Sequence, residues 1–316
     1  MSGSIKARLF WITIGVVIAI VIREPIAGIL SSQIKRPPQP EKLAEPHLLR
    51  AERECDLIIG EHLKALDQFF AEKKRGTRPF ADDVLGWASK WRLIADNVPF
   101  SSGGRHEKYI RERFEFHIFK PSDLEAAVKQ VVSSYLRHVR SIESKMLVDL
   151  RADGAEFPSA FALSAIDEHQ LEASFDAALA RATQATGSDL RDDLAAGIVT
   201  FIAGEVLAQV AVRLGVSAGI LAAGGATGWA TLGVGFVVGL IVDQTVVWVW
   251  DWWADPKGNL ATDLDKKLDD IHRLIIEGDE EVVGLRARLQ QTGRERIAVR
   301  RAAVLSLLQP PTGVSP

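Results

Sequence analysis

The chain has 316 residues, 47% of them hydrophobic and 25% charged, with 38 Lys and Arg against 41 Asp and Glu for a net charge of −3. That balance gives no global pull toward nucleic acid, whose binding needs concentrated Lys and Arg to displace counterions, so no nucleic-acid partner is expected. Cys55 is the single cysteine, which excludes an intramolecular disulfide and Cys-rich zinc sites.

At the amino terminus, Lys6 and Arg8 precede an apolar run from Leu9 to Ile22, and Arg23 follows it. Fourteen apolar residues match the core of a secretory signal, yet no pair of small residues stands at the spacing that cleavage needs. With Lys6, Arg8 and Arg23 snorkelling to the headgroups, about 18 residues suffice for a short span. Residues 1–31 are therefore expected to be an uncleaved signal-anchor helix. Residues 32–45, with Lys35-Arg36-Pro37-Pro38-Gln39-Pro40, read as a stiff proline-rich linker.

Residues 46–194 carry helical periodicity and almost no strand alternation, so the fold class is all-α, a helical bundle or coiled-coil-like domain outside the membrane. One helix is predicted from Leu48 to Lys74, with Cys55, Ile58, Ile59, Leu63, Leu66, Phe69 and Phe70 on its apolar side. A third stretch is marked by Phe80, Val84, Trp87, Trp91 and Ile94, and shorter helices by Tyr109 to His117 and Leu171 to Ala182. The clearest helix opens at Ser122, where Ser122 and Glu125 form an S-x-x-E capping box. Beyond it Leu124, Val128, Val131, Tyr135, Val139, Ile142, Met146 and Leu150 recur at steps of three and four. Arg137, Arg140, Glu143, Lys145 and Asp149 fall off that stripe and are expected in water.

Residues 195–253 are of a different kind. From Ala195 to Trp250 the only formal charges are Glu205, Arg213 and Asp243. Roughly 20 apolar residues already cross a bilayer's hydrocarbon core, so the run fits two spans, Gly204 to Ala223 and Trp229 to Trp250. Gly215 and Gly219 make one G-x-x-x-G step and Gly235 and Gly239 another, the small-residue surface that lets helices approach closely in lipid. Gly224, Gly225 and Gly228 supply the turn between them. Trp248, Trp250, Trp252 and Trp253 form an interface belt. The three charges are candidate intramembrane groups, since each costs about 2.5–3.5 kcal/mol to insert at a helix centre. An ion path using Glu205 and Asp243 is the sharper reading of them; a place at the headgroup boundary, with Arg213 paired locally, is the plainer one.

Residues 254–308 read as an amphipathic tail. Leu260, Leu264, Leu268, Ile271 and Ile275 stripe one helix, with Asp263, Asp265, Asp269 and Asp270 on its wet side. A last helix from Asp279 to about Leu308 starts acidic and ends basic, which suits the macrodipole. Its Arg294, Arg296, Arg300 and Arg301 are expected on a solvated face, with anionic lipid or an acidic partner as the alternative contact. Residues 309–316 are expected to be a disordered tail.

One anchor and one hairpin make three spans. Few cations flank the hairpin, which sets the helical domain outside the cytoplasm of a bacterial inner membrane. The seven histidines are scattered, and no H-E-x-x-H, P-loop, dinucleotide fingerprint or nucleophile elbow occurs, so neither catalytic residues, a metal nor a cofactor is expected. The order of a charged helix, a Gly/Ala-rich apolar hairpin ending in Val242-Asp243, a tryptophan cluster and a Leu/Asp-rich helix resembles uncharacterised bacterial membrane proteins. The likeness covers roughly residues 120–275, rests on Gly215 to Gly239, Asp243 and the Leu260–Ile275 helix, and implies no activity. The expectation is a non-enzymatic membrane protein whose helical domain is a scaffold or binds a partner or a second copy. The alternative is an oligomeric channel built on the glycine-rich hairpin.

Overall fold

The computed structural model describes residues 37–86, 105–158, 160, 161, 163, 166–186, 195–213 and 256–309. The anchor at 1–31, the Trp87–Ile94 segment, the hairpin beyond Arg213 and the last seven residues lie outside them. The described residues form eight helices and no strand: α1 (Pro40–Lys74), α2 (Thr77–Val84), α3 (Arg105–His117), α4 (Pro121–Gly154), α5 (Glu168–Thr186), α6 (Ala195–Arg213), α7 (Pro256–Ile276) and α8 (Leu285–Leu308). The all-α expectation is met. Among the described residues no helix is long and apolar enough to cross a membrane.

Two long helices set the axis. At 1.5 Å per residue, the 35 residues of α1 and the 34 of α4 each run about 50 Å. They pack antiparallel in one unbroken register: His47 meets Asp153 at 2.9 Å, Arg50 meets Asp149 at 3.4 Å, and His62 meets His138 at 3.2 Å. Every residue of the Leu124-to-Leu150 stripe is buried. The partner stripe on α1 runs from Leu48 through Ala51, Cys55, Ile59 and Leu63 to Leu66 and Phe70.

Both helices start differently from the sequence expectation. The linker ends sooner, because α1 begins at Pro40 and takes in residues 40–45. Gln39 is extended at the cap (φ −62°, ψ 144°), and a proline at the first helical position gives up only an N–H that has no helical acceptor anyway. Pro46 lies inside the helix and removes one i→i−4 bond, which the buried Ala44, His47, Leu48 and Ala51 around it offset. On α4 the Ser122–Glu125 box is replaced by one two residues earlier. Pro121 opens the helix, the Lys120 amide donates to Asp123 Oδ2 at 2.9 Å, and Glu125 turns to Lys129 at 2.6 Å.

The helices read as a tail are packed into the same hydrophobic core as the domain. α8 lies beside α1, α5 and α4 and runs parallel to α4: Tyr135 touches Gly293, and Glu143 meets Arg296 and Arg300. α5 returns along α4, with Ser144 donating to Glu172 at 2.7 Å and Arg140 paired with Asp176. The last helix begins at Leu285, not Asp279. Asp279 Oδ1 accepts from the amides of Glu281 and Val282 at 2.9 Å each, a side-chain turn that competes with helix. Gly278 beside it sits at φ +76°, where an added Cβ would meet Val282 O at 2.2 Å, so glycine is required.

At the far end of α1 the core turns aromatic. Gly76 turns the chain into α2 so close to the end of α3 that an added Cβ would stand 1.8 Å from His117 O. Phe80 and Phe114 stack edge-on at 6.0 Å, Phe114 and Phe119 at 5.3 Å, and Phe70 and Phe119 at 6.4 Å. α7 covers this end, burying Leu260, Leu264, Leu268, Ile271 and Ile275, and anchors by Lys257–Asp82 at 3.3 Å and His272–Asp67 at 2.8 Å.

Candidate functional site

The strongest concentration of chemistry in the described residues lies inside the bundle, halfway along α4. Val139 and Leu147, one turn before and after Glu143, are both buried, so the helix carries Glu143 into the core. α8 brings Arg296 and Arg300, also one turn apart. Glu143 and Arg300 are each 2% exposed. Arg296 reads the carboxylate with two donors, Nε to Oε1 at 2.7 Å and Nη2 to Oε2 at 2.8 Å. Arg300 adds Nε to Oε1 at 2.9 Å and extends Nη2 to Cys55 Sγ on α1 at 3.6 Å. The cluster therefore joins three helices whose contributing residues are far apart in the chain.

Burial alone would raise the Glu143 carboxyl, but the hydrogen bonds and charge of Arg296 and the charge of Arg300 outweigh it and hold the group below the ordinary carboxylate range. Glu143 is thus an anion facing two cations. Burial pushes the Cys55 thiol up, with Arg300 only partly opposing, so the thiol stays neutral and does not balance the second guanidinium. Burial likewise raises the Tyr135 phenol, whose oxygen is enclosed against Gly293 with no hydrogen-bond partner among the described residues. A charge set of this kind biases the register: sliding α8 by one turn, about 5.4 Å, would set Thr292 or Val304 where one of the two arginines stands and leave the buried carboxylate a single cation.

Beside it, His62 and His138 share one hydrogen bond across α1 and α4, and His62 stacks edge-on to Tyr135 at 6.2 Å. Burial, His138 and Arg137 hold the His62 imidazole below its ordinary range, against a rise from Glu61. Three further histidines meet carboxylates, His47 with Asp153, His117 with Asp83 at 2.7 Å and His272 with Asp67. Among the described residues no three His, Cys, Asp or Glu are grouped to hold a metal ion. One cleft there lies between α1 and α4, lined by His47, Arg50, Glu54, Lys145 and Asp149.

Two sequence expectations are corrected here. Glu143 is not in water, and Arg296 and Arg300 are not on a solvated face. Both errors come from reading each helix as one stripe with everything else wet, whereas α4 buries a second row that includes Val132 and Leu147. Arg301 is half-exposed and pairs with Glu45 at 2.7 Å. The signal that could have found the cluster is a lone acid between apolar residues at i−4 and i+4, matched by an i, i+4 arginine pair elsewhere.

The residues singled out in the apolar run divide sharply. Glu205 lies on α6, which docks on α4 through Ile202, Ala203, Val206, Leu207 and Val210, all buried. Its carboxylate pairs with Arg288 of α8, and Gln209 one turn on accepts from the Val283 amide at 2.8 Å. Arg213 ends α6. Gly215, Gly219, Gly224, Gly225, Gly228, Gly235, Gly239, Asp243, Trp248, Trp250, Trp252 and Trp253 lie outside the described residues. No protein-family model, curated protein or solved structure matches the chain.

Proposed function

We propose that the helical bundle is a non-enzymatic scaffold or partner-binding module held on a membrane by the apolar residues that follow α6. What supports the reading most is where the chain leaves the bundle and where it returns. α1 stops and α4 starts at the aromatic end, α8 runs parallel to α4, and α6 runs antiparallel to α8 through Glu205–Arg288 and Gln209–Val283. The end of α6 therefore points to the aromatic end. α7 begins at that same end, with Lys257 on Asp82. Between Arg213 and Pro256 the sequence from Leu214 to Trp250 holds one charge, Asp243, and is long enough for two spans.

Exit and return at one end is the arrangement that a two-span insertion requires. Because residues 204–210 are committed to α4 and α8, the first span in this reading begins after Arg213 rather than at Gly204, and the turn moves from Gly224–Gly228 to about Gly233 so that two spans of about 17 residues each fit between Leu214 and Trp250. Leu9–Ile22 supplies a third span, and the bundle sits outside the cytoplasm of a bacterial inner membrane. Exposed apolar side chains such as Leu57, 78% exposed, and Phe116, 75% exposed, are open to a protein partner or a second copy. The test is alkaline carbonate extraction of membranes from cells expressing the full chain, followed by crosslinking. Retention in the pellet with discrete crosslinked partners is expected. Release to the supernatant overturns the membrane reading, and ion conductance in liposomes, lost on Gly219→Leu or Gly235→Leu, replaces the scaffold by a channel.

A further inference from the structure

We infer that the bundle lies along the bilayer, its long axis in the plane of the membrane and both of its ends at the lipid headgroups. This rests on the membrane reading above and adds a geometry to it. The two apolar segments join the bundle at opposite ends. The chain from Leu9–Ile22 enters at Pro40, where α1 lies beside the carboxy-terminal ends of α4 and α8: Leu43 reaches Gly154, His47 meets Asp153 and Glu45 meets Arg301. The chain leaves for Leu214–Trp250 from the end of α6, which points to the aromatic end, and returns there past Lys74, with Lys257 on Asp82. The whole of α1, about 52 Å at 1.5 Å per residue, separates the two attachment points.

An upright bundle would hold Pro40 about 50 Å above the headgroups while Ile22 stays in the bilayer below. Residues 23–39 would have to bridge that gap. Seventeen residues reach at most roughly 56–61 Å when fully extended, so the connection would be pulled nearly straight, with the loss of almost all its conformational freedom. A bundle lying flat leaves the same residues only a helix diameter or two to cross, about 10–20 Å. The partner of the long side is thus a lipid surface, and the bundle acts as a rigid bar that keeps two insertion points apart in one membrane.

The test uses the full chain with one added cysteine at either end, Glu41→Cys or Arg78→Cys, each labelled with a donor dye. Cys55 is left in place because it is buried, and the unsubstituted chain measures its background labelling. The proteins are reconstituted in phosphatidylcholine–phosphatidylglycerol vesicles carrying a headgroup-linked acceptor, and flotation confirms attachment. Both donors should be quenched by the acceptor to within about twofold of one another. If the protein floats and only the Arg78→Cys donor is quenched, the bundle stands upright and the inference is wrong. Floating protein with neither donor quenched overturns it equally, as does vesicle clustering in which the two ends report different bilayers. Protein that does not float at all sinks the membrane reading itself, an outcome separate from the others.

Discussion

The bundle is closed by two regions that are both largely out of water and physically opposite. At the aromatic end Phe70, Phe80, Phe114 and Phe119 are 0–2% exposed and meet edge to face, so their contribution scales with the apolar area removed from water. In the middle, Glu143, Arg296 and Arg300 gain from one another only while all three are present and correctly placed. The first region tolerates a change of shape and loses stability by degrees. The second is conditional: its charges were taken out of water at a cost that only the intact set offsets. Specificity of register sits in the middle, and bulk adhesion at the end.

The largest expected effect breaks the conditional region by removing its single anion. Glu143→Ala leaves two guanidinium groups facing each other in the core and should destabilise by about 3–5 kcal/mol. Replacing all three together, Glu143→Leu with Arg296→Met and Arg300→Leu, should be neutral or even stabilising by about 1–4 kcal/mol, because no charge is then stranded. A urea midpoint in mild detergent measures both. Should the triple variant prove as unstable as the single one, packing volume rather than charge governs the site. Arg140→Ala, which removes an exposed pair with Asp176, is the control and should cost only about 0.2–1 kcal/mol.

A smaller effect is expected from reshaping the aromatic end. Phe114→Leu keeps an apolar side chain of somewhat smaller volume among Phe80 and Phe119, and should cost less than about 1.5 kcal/mol. The same urea series reads it. A loss as large as that of Glu143→Ala would mean that ring geometry, not buried area, holds α2 and α3 together.

These two regions were not equally legible in the sequence. The all-α class, the α4 stripe and the α7 stripe could be read because a period near 3.6 is a local property, carried by neighbours three and four residues apart. Pairings were not. Glu143 lies 153 residues from Arg296 and His62 lies 76 from His138, and no local period connects such positions. The starts of α1 and α4 moved by several residues or fewer because a proline or a nearby acid can open a helix as well as serine does. The reading of α6 shows the limit of hydropathy. Its apolar face looks the same whether it meets lipid or protein, and it is the Glu205–Arg288 pair, the Gln209–Val283 bond and the buried contacts with α4 that place it on protein.

The smallest effect sharpens the comparison through acidity. His62 belongs to the conditional region's border, half-buried and sharing one proton with His138. Its imidazole titrates below the ordinary range, chiefly from burial and then from His138 and Arg137, so the unfolded chain takes up that proton first as pH falls. The stability that neutral His62 contributes is therefore whole above the unfolded value of about 6.5 and is lost as pH drops through the lower folded value. His47, His117 and His272 face carboxylates instead. The informative quantity is a difference: the urea midpoint of the native chain should fall more steeply between pH 7.5 and 5 than that of His62→Gln. Parallel curves for the two proteins would show that the shared proton carries no stability and that the α1–α4 register is held by the Glu143 cluster and the apolar stripes alone.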